Sequence, residues 1–285
     1  LSSRHKDIVL KSHSDHMRRV LKCVDNNQER PDSHYMSKVL STLRQIVREW
    51  SSQGKAERDA TFTPVLDVVR QRYPSVSARG SVKIMVPGSG LGRLAFDLAK
   101  EGFRVEGNEF SMVMLMTSSF LLNACYEVFL KLICLFSICF NDYRRKMSIL
   151  FTRTSWIKAP SNFCMIAGDF LEVMLSRTCD FDCVVTAWFI DTAKNIIDYI
   201  ETIYRILKAG GLWVNVGPLT YHYEDMLDEI SIELPYEEVM RIVRLTGFEI
   251  EKEERIVTYY TRNHMSMLQN QYTCAFFVAV KPLDG

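Results

Sequence analysis

The sequence predicts an α/β protein with a Rossmann-like, mostly parallel seven-stranded sheet and an N-terminal helical extension. Three observations predict it. Between Lys83 and Glu109, an apolar run, a glycine turn and a helical stretch lead into a second strand that ends in an acid. From Phe163 to Gly217, strand and helix patterns alternate, as in a doubly wound sheet. The chain then closes on a helix, a strand, a loop and a last apolar strand between Glu237 and Val280.

The elements follow in order. Residues 1–35 are polar with helical spacing and predict a helix or two, and Val39, Leu40, Leu43, Ile46 and Val47 make one face of a helix over 36–48. A polar turn at 51–54 and a helix over 63–72 complete a helical region, residues 1–75, expected to pack on a core domain of 76–285. Residues 82–86 have the composition of a buried parallel strand, and Gly88, Gly90 and Gly92 let the backbone turn and approach a ligand. Leu91, Leu94, Ala95 and Leu98 follow at helical spacing, then a strand over 103–109 and a helix over 111–122. The apolar stretch 128–140 contains Lys131 and falls short of the roughly 20 residues of a membrane span, so it reads as a buried helix. Strands are expected over 163–170, ending in a polar corner, 179–191 and 212–217, with a helix over 195–207 capped at its C-terminus by the glycines of Lys208-Ala-Gly-Gly. A helix over 237–245 and strands over 248–256 and 274–280 finish the chain, and the loop 258–272 is expected to overhang the pocket.

In such sheets ligands lie beyond the carboxyl ends of the strands. Glu109, Asp169, Asp191 and the stretch 217–223 all fall on that rim. An acid at the tip of the second strand suits the hydroxyls of an adenosine ribose, and that spacing fits both NAD and S-adenosylmethionine. A dinucleotide fingerprint places its third glycine where this chain has Arg93, which favours the second. Trp188 and Trp213 read as core.

Bulk composition narrows the classes. With 35 basic and 34 acidic residues the net charge is +1, which leaves no electrostatic footprint for nucleic acid or an anionic membrane, so a small-molecule substrate is expected. The 8 cysteines form no Cys-x-x-Cys pair and read as reduced core thiols, with no metal set among them. No leader precedes the first charged residues, and a cytosolic location with nuclear access is expected. The N-terminal helices are candidates for a homodimer contact.

The Gly88-Ser-Gly-Leu-Gly92 turn looks like the first motif of class I methyltransferases. Around it stand Gln45-x-Val-Arg48-x-Trp50, Gly54-Lys-Ala-Glu-Arg-Asp59, Gly107-Asn-Glu109, Ala167-Gly-Asp-Phe170, Phe189-Ile-Asp-Thr-Ala193 and Gly217-Pro-Leu-Thr-Tyr-His222. Together these blocks, spread over residues 35–283, resemble the carnosine N-methyltransferase family. The resemblance implies a class I methyltransferase core that moves a methyl group from S-adenosylmethionine to the imidazole of carnosine (β-alanyl-histidine), giving anserine. Carried over residue by residue, it implies that Gln45 and Arg48 reach the methionine end of the cofactor, and that Gly88 and Gly90 lie against it. Glu109 would take the ribose, Asp169 and Phe170 would hold and cover the adenine, and Ala187 would offer backbone near the sulfonium. Asp191 and His222 would be the catalytic pair, contacting substrate together with Tyr260 and Tyr272. Two departures stand out: Asn270 replaces an expected aromatic, and 125–160 lacks the family's proline- and asparagine-containing loop.

The chemistry asked of these residues is tautomer control. A neutral imidazole has one N–H and one lone pair, and only the lone pair attacks a sulfonium methyl. An Asp191 carboxylate that accepts the N–H presents the other nitrogen and stabilises the charge growing on the ring. Plainer readings stand beside these: Asp191 as a helix N-cap, His222 as a packed loop histidine, Gln45 and Arg48 as a solvated helix face, Tyr260 and Tyr272 as core aromatics. Other activities also stay open, namely methylation of another histidine-containing peptide or protein, a catalytically decayed cofactor-binding scaffold, and a nicotinamide-dependent reductase.

Overall fold

The computed structural model describes residues 33–123, 159–263 and 265–283. The chain divides into two compact units, Leu1–Ser41 and Thr42–Gly285. Of the first, the described part is the opening of helix α1 (Ser33–Trp50), and every contact below lies within the second. Residues 1–32 of the helical stretch expected over 1–35, the helix expected over 128–140, and nearly all of the atypical 125–160 segment lie outside the described residues.

Seven strands form one sheet: β1 (Lys83–Pro87), β2 (Arg104–Glu109), β3 (Phe163–Ala167), β4 (Phe181–Ala187), β5 (Leu207–Gly217), β6 (Glu249–Tyr259) and β7 (Gln271–Val280). Their order is β3-β2-β1-β4-β5-β7-β6, and β7 runs antiparallel to both of its neighbours. That is the class I methyltransferase arrangement, with the order reversing between β1 and β4, the point beyond whose strand ends such sheets bind ligands. β1 and β4 are flanked on both sides and covered on both faces, so they read as near-continuous apolar runs.

Helices cover both faces. On one, α2 (Lys55–Arg72) and α3 (Arg93–Lys100) bury Phe62, Val65, Val69, Leu94 and Leu98 against Ile84, Val185 and Val214. On the other, α5 (Phe170–Met174), α6 (Ile196–Ile206) and α7 (Tyr236–Leu245) bury Met174, Ile200, Ile203 and Val243 around Trp213 and Phe277. α4 (Met112–Asn123) follows β2. α6 begins where the Asn195 side chain accepts from the Ile197 N–H at 3.0 Å, and a buried stripe of Ile196, Tyr199, Ile200, Ile203 and Ile206 holds it to the sheet.

Several boundaries differ from the sequence reading, each for a local reason. α2 starts at Lys55 and runs through Pro64, where a Thr-Pro pair looks like a helix start. The Lys208-Ala-Gly-Gly glycines do not cap α6. They sit inside β5, where Phe181 pairs with Leu207 and Cys183 with Leu212, so the four residues between bulge out, with Gly210 at φ +73. β6 and β7 run further than expected and pair as far as Tyr259 and Gln271. Of the described cysteines, Cys183 and Cys274 are core, whereas Cys164 on edge strand β3 and Cys179 are exposed. Among the described residues no helix is long and apolar enough to cross a membrane.

Candidate active site

The glycine turn leaves β1 with Gly88, Gly90 and Gly92 at φ +61, +56 and +83, left-handed positions that only glycine holds cheaply. At Gly88 a side chain would also drive into the Phe189 ring. Glu109 closes the turn from β2: its Oε2 accepts from the Gly90 N–H at 2.9 Å and its Oε1 from the Ser111 N–H at 2.7 Å. Burial raises its carboxyl pKa, and these backbone bonds pull against that.

A second carboxylate, unforeseen in the sequence, enters from α1. Glu49 is buried and accepts from the Leu91 N–H at 3.3 Å and the Arg93 N–H at 3.2 Å, at the N-terminus of α3. Desolvation lifts it to about 7 despite the neighbouring Arg48. Arg93, in the place of a third glycine, reaches back to the Glu49 carbonyl at 2.9 Å and lies over the Trp50 ring. The end of α1 is thereby pinned onto the glycine turn. The signal was present in the Arg48-Glu-Trp50 sequence, but nothing local says that Glu49 turns inward.

One turn earlier on the same helix, Gln45 and Arg48 are buried, at 8% and 5% exposure, rather than lying on a solvated face. Gln45 Nε2 donates to the Tyr260 hydroxyl, and the Arg48 guanidinium lies 4.7 Å from the Tyr260 ring centre and 5.7 Å from that of Trp188. Gln45 Oε1, Arg48 Nε and Nη2, and Trp188 Nε1 are buried without a hydrogen-bond partner. Buried polar groups are normally paired, so this cluster of one acceptor and several donors could hold a polar ligand group. Trp188, expected in the core, instead sits half-buried on the rim at φ +56, against Tyr260 and Tyr272. Tyr272, on β7, and Tyr260, just past β6, reach this rim because the β6–β7 connection opens there.

Ala187 ends β4, and a 3₁₀ turn, Ile190–Thr192, follows. Its Asp191 is 2% exposed and does not cap α6, since Asn195 does. Asp191 Oδ2 accepts from the Thr220 N–H at 3.1 Å and from its hydroxyl at 2.7 Å, which leaves Oδ1 without a hydrogen bond among the described residues. Burial pushes the Tyr260 phenol up, with Arg48 and Gln45 opposing and Glu49 and Asp191 adding, so these residues share one electrostatic neighbourhood. His222 is tied to Asp191 through the main chain, its N–H donating to the Asp191 carbonyl at 3.0 Å, while its side chain is exposed.

Asp169 caps α5 through Oδ1, which accepts from Leu171 and Glu172. The Phe170 ring lies edge-on to Phe189 and Tyr199 in the core, so the expected ring cover over a base is not what the packing provides. What Phe170 offers the rim is its first-turn amide, which has no helical carbonyl to bond. A shallow groove at Arg244, Phe248 and Glu253 lies at the opposite end of β6 and is separate from this site.

The sequence profile described as carnosine N-methyltransferase matches residues 25–283. The carnosine N-methyltransferase of Rattus norvegicus is 41% identical over 302 residues, covering 94% of this chain and 75% of that protein. That of Schizosaccharomyces pombe is 35% identical over 324 residues, covering 98% and 87%. The Drosophila melanogaster protein named carnosine N-methyltransferase unmet is 42% identical over 253 residues, covering 86% of this chain and 55% of its own. With a profile match over residues 25–283 and relatives 35% to 41% identical over most of the chain, this protein belongs to the carnosine N-methyltransferase family.

Proposed function

We propose that this chain transfers the methyl group of S-adenosylmethionine to an imidazole nitrogen of carnosine, giving anserine. The observation that carries the reading is Asp191: buried, fixed by Thr220 through one oxygen, and with no hydrogen bond at the other among the described residues.

The residues present fit the cofactor. Arg48 Nη2 is a buried guanidinium nitrogen with no hydrogen-bond partner, suited to the methionine carboxylate, and Gln45 Oε1 a buried acceptor suited to the ammonium. Gly88 and Gly90 let the backbone come close, and Glu109, at the tip of β2, takes the ribose hydroxyls. Asp169, whose Oδ1 caps α5, and the Phe170 main chain would hold the adenine. Ala187 lines the reacting centre with backbone. When bound, S-adenosylmethionine supplies an electrophilic methyl group on a sulfonium sulfur.

The chain's own residues do the rest. Asp191 Oδ1 accepts the imidazole N–H, so the other nitrogen faces the methyl group with its lone pair. The same carboxylate stabilises the positive charge that develops on the ring as the nitrogen–carbon bond forms and the carbon–sulfur bond breaks. No prior deprotonation is needed, because an imidazole of pKa about 6.5 is mostly neutral near pH 7, and the product loses its proton to solvent afterwards. Tyr260 and Tyr272 wall the ring, and His222 meets the dipeptide from the solvent side. Holding the nitrogen in line is the main source of acceleration.

The test is incubation with methyl-labelled S-adenosylmethionine and a panel of carnosine, homocarnosine and longer histidine-containing peptides, with mass spectrometry locating the methyl group. Label on the imidazole of carnosine is expected. Transfer confined to other peptides, or cofactor binding with no transfer, would overturn the assignment.

A further inference from the structure

The block Gly54-Lys-Ala-Glu-Arg-Asp59 plays no part in the chemistry above, yet it is built tightly beneath the site. Gly54 is required because the Arg48 carbonyl at the end of α1 packs where its side chain would be. Arg58 Nη1 donates to the Arg48 carbonyl at 2.5 Å and the Ser51 carbonyl at 2.9 Å, which fixes α1 against α2. Glu57, 8% exposed, then points both ways. Its Oε2 lies 3.6 Å from Arg48 Nε and also accepts from the Thr261 N–H at 2.9 Å, while its Oε1 accepts from the Arg262 N–H at 2.7 Å.

These contacts close a circuit. Arg48 packs on the Tyr260 ring, Gln45 bonds the Tyr260 hydroxyl, and Glu57 holds both Arg48 and the backbone immediately after Tyr260. Thr261 is left-handed at φ +50, a conformation that a β-branched residue keeps only where its surroundings impose it, and the Glu57 carboxylate supplies that imposition. Breaking the circuit at Glu57 therefore releases the Arg48 guanidinium and the Tyr260 main chain together.

We propose that Glu57 is a positioning residue that couples Arg48, on the cofactor side, to the backbone carrying Tyr260, on the substrate side, so that order at one is order at the other. The proposal rests on the functional reading above. It predicts that Glu57 and Tyr260 act as one unit although their side chains are not themselves hydrogen-bonded.

A double-mutant cycle tests it, with Glu57→Gln, Tyr260→Phe and the pair, read first as S-adenosylhomocysteine dissociation constants by calorimetry and then as kcat and KM for carnosine. Tyr260→Phe should weaken S-adenosylhomocysteine binding about fivefold less in the Glu57→Gln background than in the wild type, the scale of coupling within one contact network. Glu57→Gln alone should raise the carnosine KM more than it lowers kcat. Additive effects, agreeing within about twofold, overturn the proposal. If Glu57→Gln does not fold by thermal denaturation, Glu57→Asp replaces it, keeping the charge and losing the reach to both amides, with the same criterion. A wild-type chain that binds S-adenosylhomocysteine but leaves carnosine unmethylated overturns the substrate assignment alone, and the binding cycle still decides the role of Glu57. A wild-type chain that binds no S-adenosylhomocysteine overturns both.

Discussion

Replacing Glu49 by glutamine isolates the cost of burying a carboxylate inside the glycine turn. The folded chain lifts this group from 4.5 to about 7, chiefly by desolvation, with Arg48 and the Leu91 and Arg93 amides pulling the other way. A carboxyl whose folded pKa lies above its unfolded one binds its proton more tightly in the native state. Its stabilising contribution is therefore complete below about 4.5 and is lost as pH rises through about 7. At about 1.4 kcal/mol per pH unit, the difference integrates to about 3 kcal/mol. Glutamine is neutral throughout, keeps one carbonyl acceptor for the turn amides, and has no such dependence. Urea unfolding of both proteins at about pH 5 and about pH 8.5 measures this, since groups shared by the two chains cancel in the difference. Near pH 5 the two should lie within about 1 kcal/mol, the worth of one hydrogen bond. At about pH 8.5 the variant should gain about 3 kcal/mol relative to the wild type. A stability difference that does not change with pH would refute a buried, proton-holding Glu49.

Two further outcomes follow from the site. Arg48→Lys keeps a charge but loses the planar donor set, so S-adenosylhomocysteine binding measured by calorimetry should weaken about tenfold or more, and because Arg48 is buried against Tyr260 and paired with Glu57 the melting temperature should fall as well. Gly88→Ala combines a left-handed backbone with a clash on Phe189, so thermal denaturation should show a loss of about 1 to 3 kcal/mol, together with weakened cofactor binding.

What the sequence made legible was whatever is decided locally. The glycine turn and Glu109 announced themselves because their roles follow from glycine's left-handed freedom and from a strand ending in an acid. The alternation after Phe163 gave the sheet because buried parallel strands are apolar runs. Lys208-Ala-Gly-Gly misled because glycines after a helical pattern look the same whether they cap the helix or bulge the next strand, and only the β4 partner decides. Glu49, Glu57 and Trp188 were missed for a different reason. Their importance comes from burial against elements distant in sequence, such as the Thr261 backbone some 200 residues beyond Glu57. A charged residue on a helix next to Trp50 is indistinguishable from a solvated one until the glycine turn arrives against it. Asp191 was legible as a rim residue, whereas its freedom from capping duty became clear only from Asn195 taking that task.

The central claim is that the Asp191 carboxylate handles the substrate imidazole and not the cofactor. Asp191→Ala, assayed in parallel for S-adenosylhomocysteine affinity by calorimetry and for methyl transfer to carnosine at saturating cofactor, addresses it most directly. Affinity within about threefold of the wild type, with turnover reduced by about two orders of magnitude or more, is the expected result for losing the group that stabilises the developing charge. Undiminished turnover with unchanged cofactor affinity would contradict the account.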